Sequence, residues 1–234
     1  MYAPIQVGQG CRLEMPRIAR DSTGENISEL NPRYSELTAQ YWAWKNLDAD
    51  QLGLVHYRRY FAGSGDMGVL SPEDVKRSFG KAPVILPRQT NYRIETLGSH
   101  YSHTFSNTDV AVLQQVLDSS DDEYGGALEK HLSRRSGHMY NMHVMRRDIL
   151  NAYCEWLYPI LSQVDAKIDY SAKTPFESRC IGRLSEFLLD VWLSVNQVSY
   201  VESPIVSLEG VNWMKKGASF LAAKFLSRPY TESF

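Results

Sequence analysis

Two adjacent arginines and a histidine form the stretch of this sequence best suited to chemistry. His56, Arg58 and Arg59 follow directly on the apolar run Leu52–Val55, which is typical of a short buried strand. In open α/β sheets ligands bind at the carboxyl ends of strands, and guanidinium groups bind phosphate oxygens bidentately. The stretch His56–Phe61 therefore predicts a site for a phosphate-bearing ligand. The alternative is an edge strand that runs into a solvated, arginine-rich loop.

The elements that must position this stretch alternate between helix and strand, without a repeat or a low-complexity linker, which predicts an α/β fold. Apolar residues recur every three or four positions in the helices, and short apolar runs mark the strands. The predicted helices are Ser35–Leu47, one that begins at Asn107, a long one from Ile149 to Val164 that contains Pro159, and Arg179–Asn196. The predicted strands are Leu52–His56, Ala82–Leu86 and Val198–Val201, and the predicted loops are Gly63–Gly68 and Asp121–Gly126.

Length and composition limit the classes of protein. The 234 residues are 43% hydrophobic and 22% charged, enough for one sizeable core, so a single domain over 1–234 is predicted. A net charge of −2 and a pI near 6.3 give no general attraction to nucleic acid. Cys11, Cys154 and Cys180 are widely spaced and form no metal-binding pair, which fits a reducing cytoplasm. No apolar run approaches the ~20 residues that span a bilayer, and no secretion signal stands at the start.

A basic, partly apolar segment stands at about 213–228. It combines aromatic and aliphatic residues with Lys215, Lys216, Lys224 and Arg228. Such a segment suits a membrane surface, because apolar contact and attraction to anionic lipid each contribute, at about 1 kcal/mol per basic residue near the surface. The alternative is a helix packed on the core with its lysines extended into solvent.

Four blocks of the sequence stand in the order seen in one bacterial family, at 21–28, 34–46, 53–61 and 139–142. On these blocks the chain resembles the bacterial capsular and exopolysaccharide biosynthesis proteins long filed under a domain-of-unknown-function label, over nearly its whole length. The resemblance implies a GT-A-like fold, a three-layer sandwich with a central mixed sheet, and glycosyltransferase activity. It also implies transfer of a hexosyl unit, galactose or galactofuranose, from a uridine-diphosphate sugar to a growing capsular polysaccharide, exopolysaccharide or O-antigen. The acceptor would be lipid-linked, and the enzyme cytoplasmic, in peripheral contact with the inner face of the cytoplasmic membrane.

The sequence departs from the family pattern at its beginning. Members usually carry a further strand, a histidine-lysine pair and a loop before the block similar to Tyr2–Gly8, whereas this sequence starts at that block. In GT-A-like folds that first strand and its loop help to hold the nucleotide base, so we expect the first strand to be missing. A second hypothesis is therefore a catalytically inactive binding or scaffold subunit of a polysaccharide assembly complex. A third, a nucleic-acid-binding protein, is disfavoured by the acidic balance of charge.

The negative charge that develops on a sugar-diphosphate leaving group must be stabilised by a divalent metal or by basic residues. The aspartates in residues 48–50 have the Asp-x-Asp spacing of the metal site common in GT-A enzymes, but they precede the predicted strand instead of following it. We therefore expect the donor to be bound by His56, Tyr57, Arg58 and Arg59 without a metal. A site for Mn²⁺ or Mg²⁺ is the alternative.

Transfer to an acceptor hydroxyl requires a carboxylate or a histidine that removes its proton. The resemblance offers Glu186, in a Ser-Glu-Arg-Leu-like block, and Asp109 as catalytic residues. This chain has Phe187 where the family block commonly has arginine. The alternatives are a paired or surface carboxylate for Glu186 and a partner of the helix dipole for Asp109.

Further polar residues are expected around the donor and the acceptor. Asp21 and Asn26 are predicted to hold the ribose or sugar hydroxyls of the donor, and an ordinary turn is the alternative. His103, which matches a family histidine, His138 and Asn141 are predicted on the acceptor side. Hydrogen bonding within the loop is the alternative for His138 and Asn141.

Overall fold

The computed structural model describes residues 1–9, 17–120 and 122–207. The strands are β1 (Ile5–Gln6), β2 (Ala19–Arg20), β3 (Gln51–Leu54), β4 (Arg59–Phe61), β5 (Val84–Pro87), β6 (Thr90–Asn91), β7 (Ser136–Gly137), β8 (His143–Arg146), β9 (Val201–Ser203) and β10 (Ile205–Ser207). The helices are α1 (Asn31–Tyr34), α2 (Leu37–Asn46), α3 (Pro72–Phe79), α4 (Leu97–Ser102), α5 (Asn107–Ser120), α6 (Asp122–Leu132), α7 (Arg147–Lys167) and α8 (Cys180–Val195). Short 3-10 turns stand at Ser28–Leu30, Asp66–Gly68 and Glu177–Arg179.

A mixed four-stranded sheet in the order β3-β8-β5-β9 forms the centre of the fold. β8 runs antiparallel to β3 and to β5, whereas β9 runs parallel to β5. In this register Leu54 lies opposite His143, and Pro87 lies opposite Ser203. The carboxyl ends of β3, β5 and β9 and the amino end of β8 therefore share one edge of the sheet, which we call the carboxyl edge.

The two faces of the sheet bury different apolar clusters. Along β5, Val84 and Leu86 point into the larger cluster, while Ile85 points into the smaller one, as the two-residue period of a strand requires. Helices α5 to α8 supply most of the larger cluster. Phe61 of β4 and Val75 of α3 belong to the smaller cluster on the other face. The chain thus forms three layers, with the mixed sheet in the middle.

Most of the predicted elements are confirmed, with shifted ends. The helix expected over 35–47 begins at Leu37. The long helix expected over 149–164 is α7, and its Pro159 lies at an exposed position inside the helix. The strand expected over Leu52–His56 ends at Leu54, because the backbone turns there and the Arg59 N–H donates to the His56 carbonyl at 3.2 Å. The strand expected at Val198–Val201 begins only at Val201.

The loop predicted over Asp121–Gly126 is wrong for the residues from Asp122 onward, where α6 begins. Two acidic residues in its first turn favour the start of a helix, and Gly125 serves packing and not a turn. A Cβ atom at Gly125 would lie 1.9 Å from Oδ1 of the exposed Asp118 side chain on α5, so this side chain would have to move if position 125 carried a side chain. Gln114 Nε2 donates to the Gly125 carbonyl at 3.0 Å in the space that is left.

The basic segment at 213–228 lies outside the described residues. Among the helices of the described ranges, none is both long and apolar enough to cross a bilayer.

Candidate functional site at the carboxyl edge

The cationic stretch after β3 lies at the carboxyl edge, against the loop that precedes β8. His56 Nε2 is 2.5 Å from the carbonyl oxygen of Tyr140, and because a carbonyl only accepts, Nε2 carries the proton. The Arg59 guanidinium lies over the Tyr140 ring at 4.6 Å from its centroid. The Arg58 guanidinium lies over the ring of Tyr57, which is 75% exposed. The predicted donor-binding residues His56, Arg58 and Arg59 are thus half-buried at the edge where ligands bind in open sheets.

The loop before β8 contains two consecutive left-handed residues, Tyr140 (φ 78°) and Asn141 (φ 53°). Asparagine tolerates this conformation, whereas for a bulky residue such as tyrosine it costs about 1–3 kcal/mol. The buried Asn141 amide holds the turn: its Nδ2 donates to Glu36 Oε1 at 2.8 Å and to the Gly182 carbonyl at 2.9 Å. Its Oδ1 accepts a hydrogen bond from Ser185 Oγ at 3.0 Å. The turn therefore connects α8 to the residue that precedes α2.

A buried ion pair from α8 lies beneath this turn. Arg183 Nη1 is 2.9 Å from Glu186 Oε1, and the Glu186 side chain is 3% exposed. Burial raises the pKa of Glu186, and the nearby charge of Glu36 raises it too, whereas Arg183 and the donating backbone N–H of Tyr140 lower it; the net shift is upward. The charge of Glu186 is the main cause that raises the pKa of Arg183. Glu186 thus pairs directly with Arg183, and the charge of Glu36 acts on both of them.

Aromatic and imidazole rings flank this pair on the side of β6 and α4. The ring of Tyr92, which follows β6, stacks on His100 with centroids 3.9 Å apart. The buried Glu95 carboxylate lies 3.3 Å from His100 Nδ1 and 3.3 Å from Nε2 of the predicted acceptor residue His103. Burial lowers the pKa of His100 despite Glu95, and the charge of Arg183 lowers it as well. His103 is therefore connected to the ion pair of α8 through Glu95 and His100.

His138, also predicted on the acceptor side, is held between two carboxylates. Its Nδ1 bonds Asp190 Oδ1, its Nε2 is 3.0 Å from Glu202 Oε1, and its backbone N–H donates to Asp190 Oδ2 at 2.9 Å. Burial lowers the pKa of His138, but Asp190 and Glu202 outweigh burial and the net shift is upward. Burial would raise the pKa of Asp190, yet the hydrogen bond and charge of His138 bring it below its usual value. The His138 imidazole joins the loop before β8 to α8 and to β9.

Three of the predicted residues have hydrogen-bond partners other than the site residues described above. Asp21 is fully buried and accepts hydrogen bonds from the Gly8 N–H at 3.0 Å, Ser28 Oγ at 2.7 Å and Thr38 Oγ1 at 2.6 Å. It supports the start of α2, directly after Glu36. Its predicted contact with the donor stays a prediction.

Asn26 and Asp109 also have local partners. Asn26 Nδ2 donates to the Gly24 carbonyl at 2.8 Å, and its Oδ1 accepts from the Ser28 N–H at 3.2 Å. Asp109, in the first turn of α5, bonds Lys173 Nζ through both oxygens, at 2.9 and 2.8 Å. Donor binding by Asn26 and catalysis by Asp109 stay predictions.

The residues around the ion pair that sequence reasoning missed are Glu36, Tyr140 and Arg183. The spacing of Arg183 and Glu186, three residues apart on a predicted helix, could have indicated that pair. No local pattern indicates Glu36, because its partner Asn141 is 105 positions away.

The two carboxylates described at this edge already have partners within the described part of the chain. Glu186 already bonds Arg183, and Glu36 already bonds Asn141. The Asp-x-Asp of residues 48–50 stands before β3, at the opposite edge of the sheet. Within the parts of the chain that the structure describes, no group of three or more histidine, cysteine, aspartate or glutamate side chains could hold a metal ion. Binding of a diphosphate by the arginines stays a prediction.

Comparisons with known proteins agree with this geometry. The family described as "Domain of unknown function (DUF4422)" matches residues 1–197. The chain is similar to the apo structure of the WbbM bifunctional glycosyltransferase, with a TM-score of 0.77 and 26% sequence identity over 89% of this chain. It spans only 42% of the length of that protein. No curated protein sequence matches the chain. The predicted α/β, GT-A-like fold with a central mixed sheet is confirmed by this likeness and by the strand order.

Proposed function

Since this chain belongs to the DUF4422 family and shares the fold of part of a bifunctional glycosyltransferase, we propose that it is itself a glycosyltransferase. It moves a sugar from a nucleotide-diphosphate donor to a saccharide acceptor. One observation carries the proposal. At the carboxyl edge, both the cationic stretch after β3 and the carboxylate pair Glu36 and Glu186 contact the turn at Tyr140 and Asn141.

The cationic stretch suits the leaving group. Cleavage of the bond between sugar and diphosphate leaves growing negative charge on the phosphate oxygens, and positioned cations stabilise that charge. Arg58 and Arg59 supply guanidinium groups, and His56 fixes the turn that carries them by donating to the Tyr140 carbonyl. The aromatic face beneath Arg59 restricts the guanidinium without removing its charge.

The carboxylate pair suits the acceptor side of the reaction. A base that accepts the hydroxyl proton works best with a pKa near the working pH, and burial raises the pKa of Glu186 in that direction. Glu36 is half-buried and accepts a hydrogen bond from Asn141, and its charge raises the pKa of Glu186 further. We assign the proton transfer to this pair, with Glu186 as the base. Glu36 and Arg183 are the neighbouring groups whose charges adjust the pKa of Glu186.

The finer assignment rests on the resemblance carried by blocks 21–28, 34–46, 53–61 and 139–142. The donor is a uridine-diphosphate hexose, with galactose or galactofuranose as the sugar. The acceptor is a lipid-linked capsular polysaccharide, exopolysaccharide or O-antigen chain at the cytoplasmic membrane, which the segment at 213–228 would contact.

Calorimetric titration with uridine diphosphate and with its galactose and galactofuranose conjugates tests the donor. Binding that survives a chelator supports the arginine site. Binding that requires Mn²⁺ contradicts it and indicates a metal site, for which the aspartates in residues 48–50 are the candidates. Absence of binding to all three ligands, with and without Mn²⁺, contradicts the proposal of a uridine-diphosphate donor.

A second function is favoured by one observation, the 3% exposure of Glu186 and its pairing with Arg183. A carboxylate held in this way can serve the fold of a binding or scaffold subunit without turnover. Donor binding with no transfer to any saccharide would identify that function.

A further inference from the structure

A short two-stranded ribbon borders the site on its basic side. In it Thr90 pairs with Gly137 and Asn91 with Ser136, and the Tyr92 N–H donates to the Arg135 carbonyl at 2.9 Å. The ribbon follows β5 at the carboxyl edge, since the Arg88 N–H donates to the carbonyl of Ser203, the last residue of β9, at 3.0 Å. We call residues 88–94 and 129–136 the basic ribbon.

Positive charge is concentrated on the basic ribbon although the whole chain is slightly acidic. Its five cationic side chains are all exposed: Arg88, Arg93, Lys130, Arg134 and Arg135. Glu129 is the one acidic residue in these two segments. Among the ion pairs of the described ranges none involves these five cations, and the nearby Glu95 is buried against His100 and His103. The charge is therefore available to an external anionic partner.

An apolar side chain projects from the same surface. Ile94 is 64% exposed, next to Arg93, whose φ of 58° is left-handed. Asn91 Oδ1 accepts from the Arg93 N–H at 2.7 Å, and the Ile94 N–H donates to the Tyr92 carbonyl at 2.6 Å, so the turn is fixed. Arg135 Nη1 donates to the Arg93 carbonyl at 3.1 Å, which places this second cation beside the turn. An exposed isoleucine next to an arginine suits the boundary of an anionic bilayer, where both kinds of side chain gain free energy.

The basic ribbon is continuous with the proposed active site. Tyr92, between the strand β6 and Arg93, stacks on His100. The charge of Arg183 contributes to the lowered pKa of His100, so the two side chains lie near each other. A bilayer that contacts Ile94 would therefore lie on the same side of the protein as the carboxylate pair Glu36 and Glu186.

We propose that the basic ribbon docks the protein on the surface of an anionic bilayer, so that the carboxyl edge faces lipid-linked acceptors. The reason for the docking rests on the proposed function, but the docking itself requires no sugar or nucleotide. It is also separate from the contact expected of residues 213–228, because it uses a different part of the chain.

Vesicle co-sedimentation of the full chain tests this proposal, with phosphatidylcholine vesicles against vesicles that also contain phosphatidylglycerol. We expect binding only to the anionic vesicles, and weaker binding at high salt. The double variant Arg93→Gln and Arg135→Gln should bind about 25-fold more weakly, since each cation near the surface contributes about 1 kcal/mol, or roughly fivefold. Ile94→Asn should weaken binding without changing its salt dependence.

The matched control is the double variant Lys76→Gln and Lys81→Gln, which removes two exposed cations at α3 on the other face of the sheet. It should bind anionic vesicles as the unaltered protein does. Equal binding by the Arg93 and Arg135 variant and the unaltered protein overturns the proposal, as does an equal loss in the lysine control. Titration of the ribbon variant with uridine diphosphate separates the two hypotheses, because loss of docking should leave nucleotide affinity unchanged.

Discussion

Replacement of Arg59 by alanine should weaken binding of uridine diphosphate without unfolding the protein. Arg59 is half-buried in β4, and its guanidinium lies 4.6 Å from the centroid of the Tyr140 ring. A hydrogen bond between a charged side chain and a phosphate contributes about 1.5–3 kcal/mol. The dissociation constant should therefore rise by about 10-fold to 150-fold.

The effect on stability should be much smaller than the effect on binding. Loss of the contact between Arg59 and the Tyr140 ring alone should cost about 0.5–1 kcal/mol, which corresponds to a fall in melting temperature of roughly 1–4 °C for a chain of this size. Arg59→Lys keeps the charge but loses the planar fork, so its affinity should lie between those of the alanine variant and the unaltered protein.

Calorimetric titration of three purified proteins tests the reasoning: the unaltered chain, Arg59→Ala and the control Arg146→Ala. Arg146 ends β8 at the opposite edge of the same sheet and bonds only the exposed Asp148 among the acidic residues of the described ranges. Its loss should leave nucleotide affinity unchanged. An unchanged affinity in Arg59→Ala, or an equal loss in both variants, would refute the assignment of the diphosphate to the cationic stretch.

Three further changes separate catalysis, folding and protonation. Glu186→Gln should lower the transfer rate by about 10²–10⁴-fold and leave nucleotide affinity unchanged. In the unaltered protein the rate should fall in acid at a pH above the pKa of an ordinary glutamate, because the base must be ionised. A full transfer rate in the variant, measured by release of uridine diphosphate, would exclude Glu186 as the base. Gly53→Ala should cost about 1–3 kcal/mol of unfolding free energy, since its Cβ would lie 2.8 Å from the backbone carbonyl oxygen of His143, and unchanged urea denaturation would contradict the close pairing of β3 with β8. The raised pKa of His138 means that its pairing with Asp190 stabilises the fold fully below about pH 6.5 and less as pH rises through the folded pKa. The stability difference between the unaltered protein and His138→Gln, from urea denaturation at several pH values, should therefore shrink as pH rises, and a difference that grows would contradict that pairing.

Local patterns were enough to predict the elements that have one apolar face or a continuous apolar run. The helix α8 follows from Leu184, Leu188 and Val191, and β5 follows from the run that ends at Leu86. The start of α6 could not be read in this way, because two glycines look like a turn unless the neighbouring α5 is known. Glycine at a close contact and glycine in a turn have the same local signature.

The cationic half of the candidate site could be predicted, because it follows a single strand. The carboxylate half could not, since it depends on contacts between distant parts of the chain. Asn141 bonds Glu36 from 105 positions away and Gly182 from 41 positions away. Nor does a glycine stand at positions 140 and 141, or directly beside them, to indicate two left-handed residues in succession.

The central claim is that this chain transfers a sugar at its carboxyl edge, and the most direct test is mass spectrometry of a saccharide acceptor incubated with the protein and a uridine-diphosphate hexose. We expect the acceptor to gain one hexosyl unit with stoichiometric release of uridine diphosphate, and Glu186→Gln to abolish that gain while it still binds the nucleotide. An unmodified acceptor with every uridine-diphosphate hexose, in the presence and absence of Mn²⁺, would contradict the claim.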